Sequence, residues 1–529
     1  MARISDIARA LYPAPPGLSS VMGRTQRQLS DHASAAVEAW YLDLSPPICQ
    51  LPVRVFQEAP VMSIRPLLDR TAAHAAAFLD SLETRPIGTT ASYDTLRARL
   101  GKPLAEAPLP AETVIADLVR DLDGGILGSP SGRFFGWVTG GTLPAALAAD
   151  WLTTAWDQNA ASNLAAPGEA IVEEVCGAWM KELLGLPASA SFAFVTGCQM
   201  AHTTALAAAR HALLRRRNWN VETMGLSGAP AIRVLTSAVR HESILRAVRL
   251  LGIGINAVEL VPDDGSGRID PAALERMLNE SDAPTIVTLS AGDLNTGIFD
   301  DFAACCRVAH RDRGAREAWV HVDGAFGLWA AVSPQHRHLL AGVDQADSWA
   351  TDGHKWLNLA FDCGMVFVAD ASAHRAAFAQ DTSYSVPHEE ARNQKDWNPE
   401  WSRRGRGFAA YAAIRALGRA GLADLVARCC RHASALVEGI GALDGAEIVA
   451  KPIINQGLVR FLGEDGDHDR RTDVVIARIQ ANGEAWFGPV TWRGQRAMRV
   501  SVCNWATTER DVARSIAAAR RAIAELRVG

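Results

Sequence analysis

The chain has 529 residues, 48% of them hydrophobic and 21% charged, with a formal net charge of -5 at pH 7. That profile belongs to a folded globular chain and excludes collagenous, disordered and disulfide-scaffold classes, while the mildly acidic balance argues against a nucleic-acid groove or a polybasic membrane patch. At roughly 150 residues per domain, the length suits two to four domains or one large enzyme core with appendages.

The basic residues are unevenly divided. Only five are lysines (Lys102, Lys181, Lys355, Lys395 and Lys451), and the rest of the 53 are arginines. Chemistry that needs a primary amine therefore has few candidates. The nine cysteines include two adjacent doublets but no CxxC pair, which is neither a zinc nor a disulfide pattern and suits a reducing cytoplasm. Arg3, Asp6 and Arg9 interrupt the first apolar stretch, so no signal-peptide core is expected. No window approaches ~18 uncharged apolar residues, and no membrane span is expected.

The first ~65 residues are proline-rich and weakly periodic, reading as an irregular extension that could wrap a partner subunit. With the helical stretches after them, they make a first segment over 1–130. A large domain is expected over 131–410. There a helix around 171–186 leads to the apolar run SFAFVT, a helix from Met200, and then AIRVLTS, PTIVTLS, EAWVHVD, ADSWAT and GMVFV, each separated by helical or turn segments. Strands alternating with helices predict an α/β fold with a mostly parallel sheet covered on both faces, and ligands at the carboxyl ends of its strands. A smaller α+β domain is expected over 411–529. It has a long helix, strand-like LVRFL, a helix near TDVVIARIQANG, strand-like AMRVSVC and a last helix.

The residues just beyond each apolar run are chemically specific. After SFAFVT, Gly197, Cys198 and Gln199 open a helix, whose unpaired N–H groups and positive dipole end suit a phosphate. Most such turns bind nothing. After EAWVHVD stands Asp323, with the small residues Gly324 and Ala325 next to it, although an aspartate here also serves as a helix cap. After ADSWAT comes Asp352-Gly353-His354-Lys355, which places one of the five lysines 32 residues beyond Asp323. A solvated loop lysine is the plainer reading of Lys355. Taken in order, however, a phosphate cup, an acid and an amine meet the needs of pyridoxal phosphate: an anchor, a partner for the pyridine nitrogen and a Schiff-base nitrogen.

These residues resemble the pyridoxal-phosphate-dependent amino-acid decarboxylases of the glutamate and aromatic-L-amino-acid type (group II). The resemblance rests on HVDGAFG (321–327), GHKW (353–356), RFFGWVTGG (133–141) and Tyr384 followed by SRRGRGF (402–408), and it covers roughly residues 65–528. It implies the type I aspartate aminotransferase fold, with a seven-stranded type of large sheet, in a cytoplasmic homodimer that shares its active sites. It also implies an enzyme that converts an L-amino acid to its amine and carbon dioxide, without metal, nucleic acid or membrane. By position, Lys355 would carry the internal aldimine, Asp323 would partner the pyridine nitrogen, and Ala325 and His241 would pack on the two ring faces. His354 would lie beside the phosphate with Gly197, Cys198 and Gln199. Tyr384 would reprotonate the product, and Arg499 would take a substrate carboxylate. Trp137, Val138 and Thr139 would line the substrate side chain.

Three departures from the family pattern stand out. Gly197-Cys198-Gln199 lacks the family's serine. Asp352 replaces an asparagine and would repel a phosphate dianion unless it points away. Asp293 stands where relatives often have threonine near the substrate, with a helix cap as its plainer role. The alternatives are another reaction of the same cofactor, namely a carbon–carbon lyase or a decarboxylative aldehyde synthase, or a non-catalytic dimer that keeps the cofactor as structural glue.

Overall fold

Short runs rich in β-branched and aromatic residues form the centre of the molecule, as their composition favours. In a computed structural model that describes residues 63–311, 317–380 and 392–528, these runs are Ser191–Val195 (β1), Arg233–Thr236 (β2), Val258–Leu260 (β3), Thr285–Ser290 (β4), Trp319–Asp323 (β5), Ser348–Asp352 (β6) and Gly364–Val368 (β7). They form one sheet in the order β1-β7-β6-β5-β4-β2-β3. β2 pairs in parallel with β3 and β4, β4 with β5, and β5 with β6, while β7 runs antiparallel to both β1 and β6. The expected mostly parallel α/β sheet is therefore present, with β7 reversed.

Alternation along each strand builds two cores. Val195, Val234, Ile286, Trp319, Ala350 and Val366 pack under the helix Cys198–Arg215. Phe194, Leu235, Val287, Val320, Trp349 and Phe367 face the opposite layer. Burying a side chain such as Phe194 or Phe367 contributes about 1.5–3 kcal/mol, which fixes the register, because a one-residue slip would turn every one of them over.

A second sheet comes next, from Ala446–Ala450 (β8), Gln456–Phe461 (β9), Gly488–Trp492 (β10) and Gln495–Ser501 (β11). It is antiparallel throughout, in the order β10-β11-β9-β8. The helices His468–Ala481 and Glu509–Val528 accompany it. The long helix Gly407–Gly441 precedes it and breaks at Gly418, whose φ of 58° and ψ of -176° interrupt the helical path. Residues Leu67–Gly529 form a single compact unit.

The segment 133–141 ties the two sheets together. The amide of Phe135 donates to Trp486 O, and its carbonyl accepts from the amide of Ser501. At Gly140 an added Cβ would stand 1.9 Å from Lys355 O, so only glycine allows this close approach. Among the described residues no helix is long and apolar enough to cross a membrane, and all eight described cysteines are buried free thiols.

Candidate active site

β5 and β6 are parallel neighbours, and Asp323 pairs with Ala350 across them. Asp352, two residues beyond Ala350, therefore projects to the same face as Asp323. The helix Cys198–Arg215, which starts directly after β1, lies across that face. The turn after β6 returns Lys355 to the same place.

Lys355 Nζ stands 3.1 Å from Asp352 Oδ2. The other oxygen of Asp352 accepts the amide of Cys198 at 2.7 Å and lies 3.6 Å from His354 Nε2. The carboxylate thus points into the helix N-terminus instead of away from it, contrary to the condition that phosphate binding set in the sequence. Physically it is well placed there: the helix amides and the ammonium both favour a negative charge. Burial works to lower the pKa of Lys355, yet Asp352 and Asp323 hold it above the ordinary value. His354 is pushed the other way by burial. Its Nδ1 accepts the amide of Cys363 at 3.2 Å and its ring packs 4.4 Å from that of Phe361.

Asp323 sits deeper. Burial alone would raise its pKa, but His202, His241 and Lys355 reverse that and hold the carboxylate below the usual range. One oxygen accepts the amide of Ala325 at 3.1 Å. The carbonyl of Ala325 in turn accepts the amide of Asp352 at 2.9 Å, so the floor of the site is rigidly cross-tied. Cys198, His202 and Asp323 converge there, with donor atoms within 4.8 Å of one another.

His241 is the N-cap of the helix Glu242–Leu250, its Nδ1 accepting the amide of Ser243 at 3.2 Å. With Nδ1 so used, Nε2 is left to carry the proton of the neutral ring. Part of its surface is open to solvent, although the protein crowded around the rest lowers its pKa, with the nearby charges of Asp323 and Lys355 acting in opposite senses. Gln199 reaches the same helix start, donating from Nε2 to Ser243 O at 3.3 Å.

Arg499, on β11, is buried, and burial pushes its pKa down to about 10 while the charge of Asp293 works to raise it. Asp293 itself is committed to its own turn. It accepts the amides of Asn295 at 2.8 Å and Thr296 at 2.9 Å, as well as the Thr296 hydroxyl. The side chain thus caps a turn, and no helix begins there as the plainer reading expected, while its charge is felt by the buried Arg499. Trp137 is 57% exposed and stacks at a tilt on Trp486, 4.4 Å away. Trp137 and Val138 have φ of 50° and 61°, two consecutive non-glycine residues in the left-handed region, which costs energy and is common at functional sites. Thr139 comes directly after them, its amide donating to Gly136 O. Tyr384 lies outside the described residues.

Sequence reasoning passed over His202, His321 and Ser348, which lie behind Asp323. The signal was present: His321 and Asp323 are two residues apart on a strand and must share a face, and His202 is one helical turn beyond Cys198. Asn358 was also missed. Its Nδ2 donates to Trp356 O and Cys503 O, while its Oδ1 accepts the amide of Trp505, which pins the lysine turn to the second sheet. The site as built offers a half-buried amine, an ionised carboxylate below it, an imidazole at the rim and a helix N-terminus.

The family model described as the pyridoxal-dependent decarboxylase conserved domain matches residues 94–462. The chain is 30% identical over 333 residues to an acidic amino acid decarboxylase of Mus musculus, covering 60% of this chain and 58% of that protein, little more than half its length. It is 28% identical over 442 residues to L-2,4-diaminobutyrate decarboxylase of Rhizobium meliloti, covering 81% and 83% respectively. Among solved structures, Oryza sativa TDC with PLP and tryptamine superposes with a TM-score of 0.82 at 22% identity, covering 89% of this chain and 99% of that one. Mouse CSAD gives 0.80 at 23% identity, covering 88% and 99%. At such identities the superpositions establish the shared fold.

Proposed function

The chain belongs to the pyridoxal-dependent decarboxylase family, and from that premise we propose that it is a pyridoxal-phosphate-dependent carboxy-lyase converting an L-amino acid to its amine and carbon dioxide. The observation that carries this reading is the half-buried amine of Lys355, held against Asp352 at the end of β6, with the ionised Asp323 at the end of the neighbouring strand.

The residues present fit the cofactor. Lys355 is the amine for its carbonyl carbon, and Asp323 is the anion for its pyridine nitrogen. Ala325 and His241 would bracket the ring, and the amides of Gly197 and Gln199, with His354, would take the phosphate, since the amide of Cys198 is already spent on Asp352. Gly197 leaves open a space where a Cβ would come within 3.1 Å of His354 Cε1. Asp352 shares this end of the site, so the phosphate enters beside a carboxylate that the helix amide and Lys355 already neutralise. Bound there, pyridoxal phosphate supplies the electron sink for the pair left when the carboxyl group departs.

The rest of the reaction falls to this chain's own groups. Asp323 keeps a proton on the pyridine nitrogen. Arg499 offers its guanidinium fork to a substrate carboxylate, with Asp293 tuning its charge, a geometry suited to bidentate binding. Trp137 and Thr139 face the substrate side chain. Tyr384 would deliver a proton to the substrate's α-carbon. Residues 131–410 would carry the cofactor and 411–529 would bring Arg499 to it, the whole working as a cytoplasmic homodimer with shared sites.

Purified protein should be yellow, and Lys355→Ala should lose that absorbance on dialysis along with all amine formation. Retained absorbance would overturn the lysine assignment. Tyr384→Phe should keep the colour and stop amine release from whichever standard amino acid yields carbon dioxide. Aldehyde in place of amine would favour the oxidative alternative.

A further inference from the structure

A chain of buried polar groups runs away from Asp323 into the core, and the proposed reaction does not use it. His202 Nε2 lies 3.5 Å from Asp323 Oδ2. His202 Nδ1 is 2.9 Å from His321 Nε2, and His321 Nδ1 is 2.9 Å from Ser348 Oγ. Ser348 Oγ also accepts the indole N–H of Trp319 at 2.9 Å. His202, His321 and Ser348 show no exposure and Trp319 only 1%. The placement comes from pleat and register: Trp319, His321 and Asp323 alternate on one face of β5, and Ser348 is the registered partner of His321 on β6.

The two ends fix the direction of every proton. An indole can only donate and a carboxylate can only accept. The Ser348 oxygen, having taken the Trp319 proton, gives its own hydrogen to His321 Nδ1. His321 must then carry its proton on Nε2 and donate it to His202 Nδ1. His202 must carry its proton on Nε2, aimed at Asp323. Both rings are neutral in this arrangement and every link has one donor and one acceptor. Burial favours the same state for His321, whose pKa is pushed down to about 3. The reverse polarity would strand the serine hydrogen in the core without an acceptor, which is unfavourable for a buried donor.

We propose that Trp319, Ser348, His321 and His202 form a one-way hydrogen-bond chain that holds the Nε2 proton of His202 against Asp323, keeping that carboxylate ionised and oriented beneath the cofactor's pyridine nitrogen. His202 and His321 are positioning residues: they act on the cofactor only through Asp323. At 3.5 Å the contact is longer than a good hydrogen bond, with the Nε2 proton of His202 facing the carboxylate of Asp323. This rests on the reading of Asp323 as the partner of the pyridine nitrogen.

The test uses holoenzyme loaded with pyridoxal phosphate enriched in nitrogen-15 at the ring. Wild type should show a protonated pyridine nitrogen. His202→Leu should move that signal toward the unprotonated form at unchanged cofactor content and lower kcat about 10- to 100-fold, the usual loss when a residue supporting a functional group is removed. His202→Gln, which keeps an N–H donor, should largely restore both. A wild-type signal in His202→Leu would overturn the proposal. Nitrogen-15 histidine spectra of wild-type holoenzyme need no variant to fold: single protons on Nε2 of both His202 and His321 support the chain, while an Nδ1 proton on either ring refutes it. Asp323→Asn separates the premise. If that variant also keeps a protonated nitrogen, the assignment of Asp323 fails; if it loses the proton while His202→Leu does not, only the chain fails.

Discussion

Asp323 and Glu169 are both buried carboxylates, one at the floor of the candidate site and one beneath the arginine-rich segment 402–408, and their protons go opposite ways. Glu169 is pushed up to about 8, by burial first and then by the neighbouring Glu173, against the pull of the Gly407 amide and Arg403. Asp323, less completely enclosed, is held below the ordinary range because His202, His241 and Lys355 surround it. Burial penalises both anions; the hydrogen-bond donors and the ammonium beside Asp323, and the second carboxylate beside Glu169, decide which one stays charged. Glu169 belongs to scaffold, since its Oε1 caps the amide of Gly407 at 2.7 Å while Arg403 pairs with Glu173 at 2.7 Å and binds Ala160 O and Phe194 O. A fold can keep a protonated acid as structure and an ionised one for chemistry within a single domain by choosing what stands next to each.

The contrast can be broken at its charged pole first. Asp323→Asn keeps the shape but removes the anion, so carbon dioxide release should fall by on the order of 10²- to 10³-fold, the scale of one lost preorganised electrostatic partner. A steady-state assay showing near-wild-type turnover would sink the distinction. An intermediate case is Asp352→Asn. The amide side chain still accepts the proton of Cys198, but Lys355 loses its counter-charge and its pKa falls. The pH profile of cofactor uptake by the apo protein should then move to lower pH, with uptake roughly tenfold faster near neutrality; an unmoved profile would show that Asp352 does not control the amine.

The smallest expected effect lies at the scaffold pole. The folded-state pKa of Glu169, about 8, exceeds its ordinary value of 4.5. The stability it contributes is therefore complete below about pH 4.5 and is lost as pH rises toward about 8. Glu169→Gln keeps an acceptor for Gly407 and removes the titration, so the decline of the melting temperature across that window should flatten, leaving the variant a few degrees more stable than wild type near pH 8. Parallel melting curves for the two proteins would show that Glu169 does not hold its proton in the folded state.

Much of the architecture was legible in the chain itself. The apolar runs around Phe194, Val234, Val287, Val320, Trp349 and Val366 are hydrophobic enough to be buried on both faces, and each one is a strand of the large sheet. Three strands went unseen for a common reason. Val258–Leu260 is a short edge strand, Ala446–Ala450 is only partly buried, and Gly488–Trp492 carries Pro489 on an outer strand. Edge positions demand little of the hydrophobic pattern, so little of it remains to be read. The long helix 407–441 was read as continuous, and only its backbone shows the break at Gly418.

The sequence by itself determined which groups could do the chemistry. One lysine among five stands after an apolar strand with an acid upstream, and strand ends of a parallel sheet must converge because every crossover returns the chain in the same direction. The tertiary structure alone decided the protonation and aim of those groups. That Asp352 turns into the helix N-terminus, that Asp293 spends its oxygens on its own turn, and that two histidines 119 residues apart stand 2.9 Å from each other behind Asp323 depend on contacts between distant segments. A pKa or a tautomer is set by whatever lies within a few ångströms, and for buried groups those neighbours come from elsewhere in the chain.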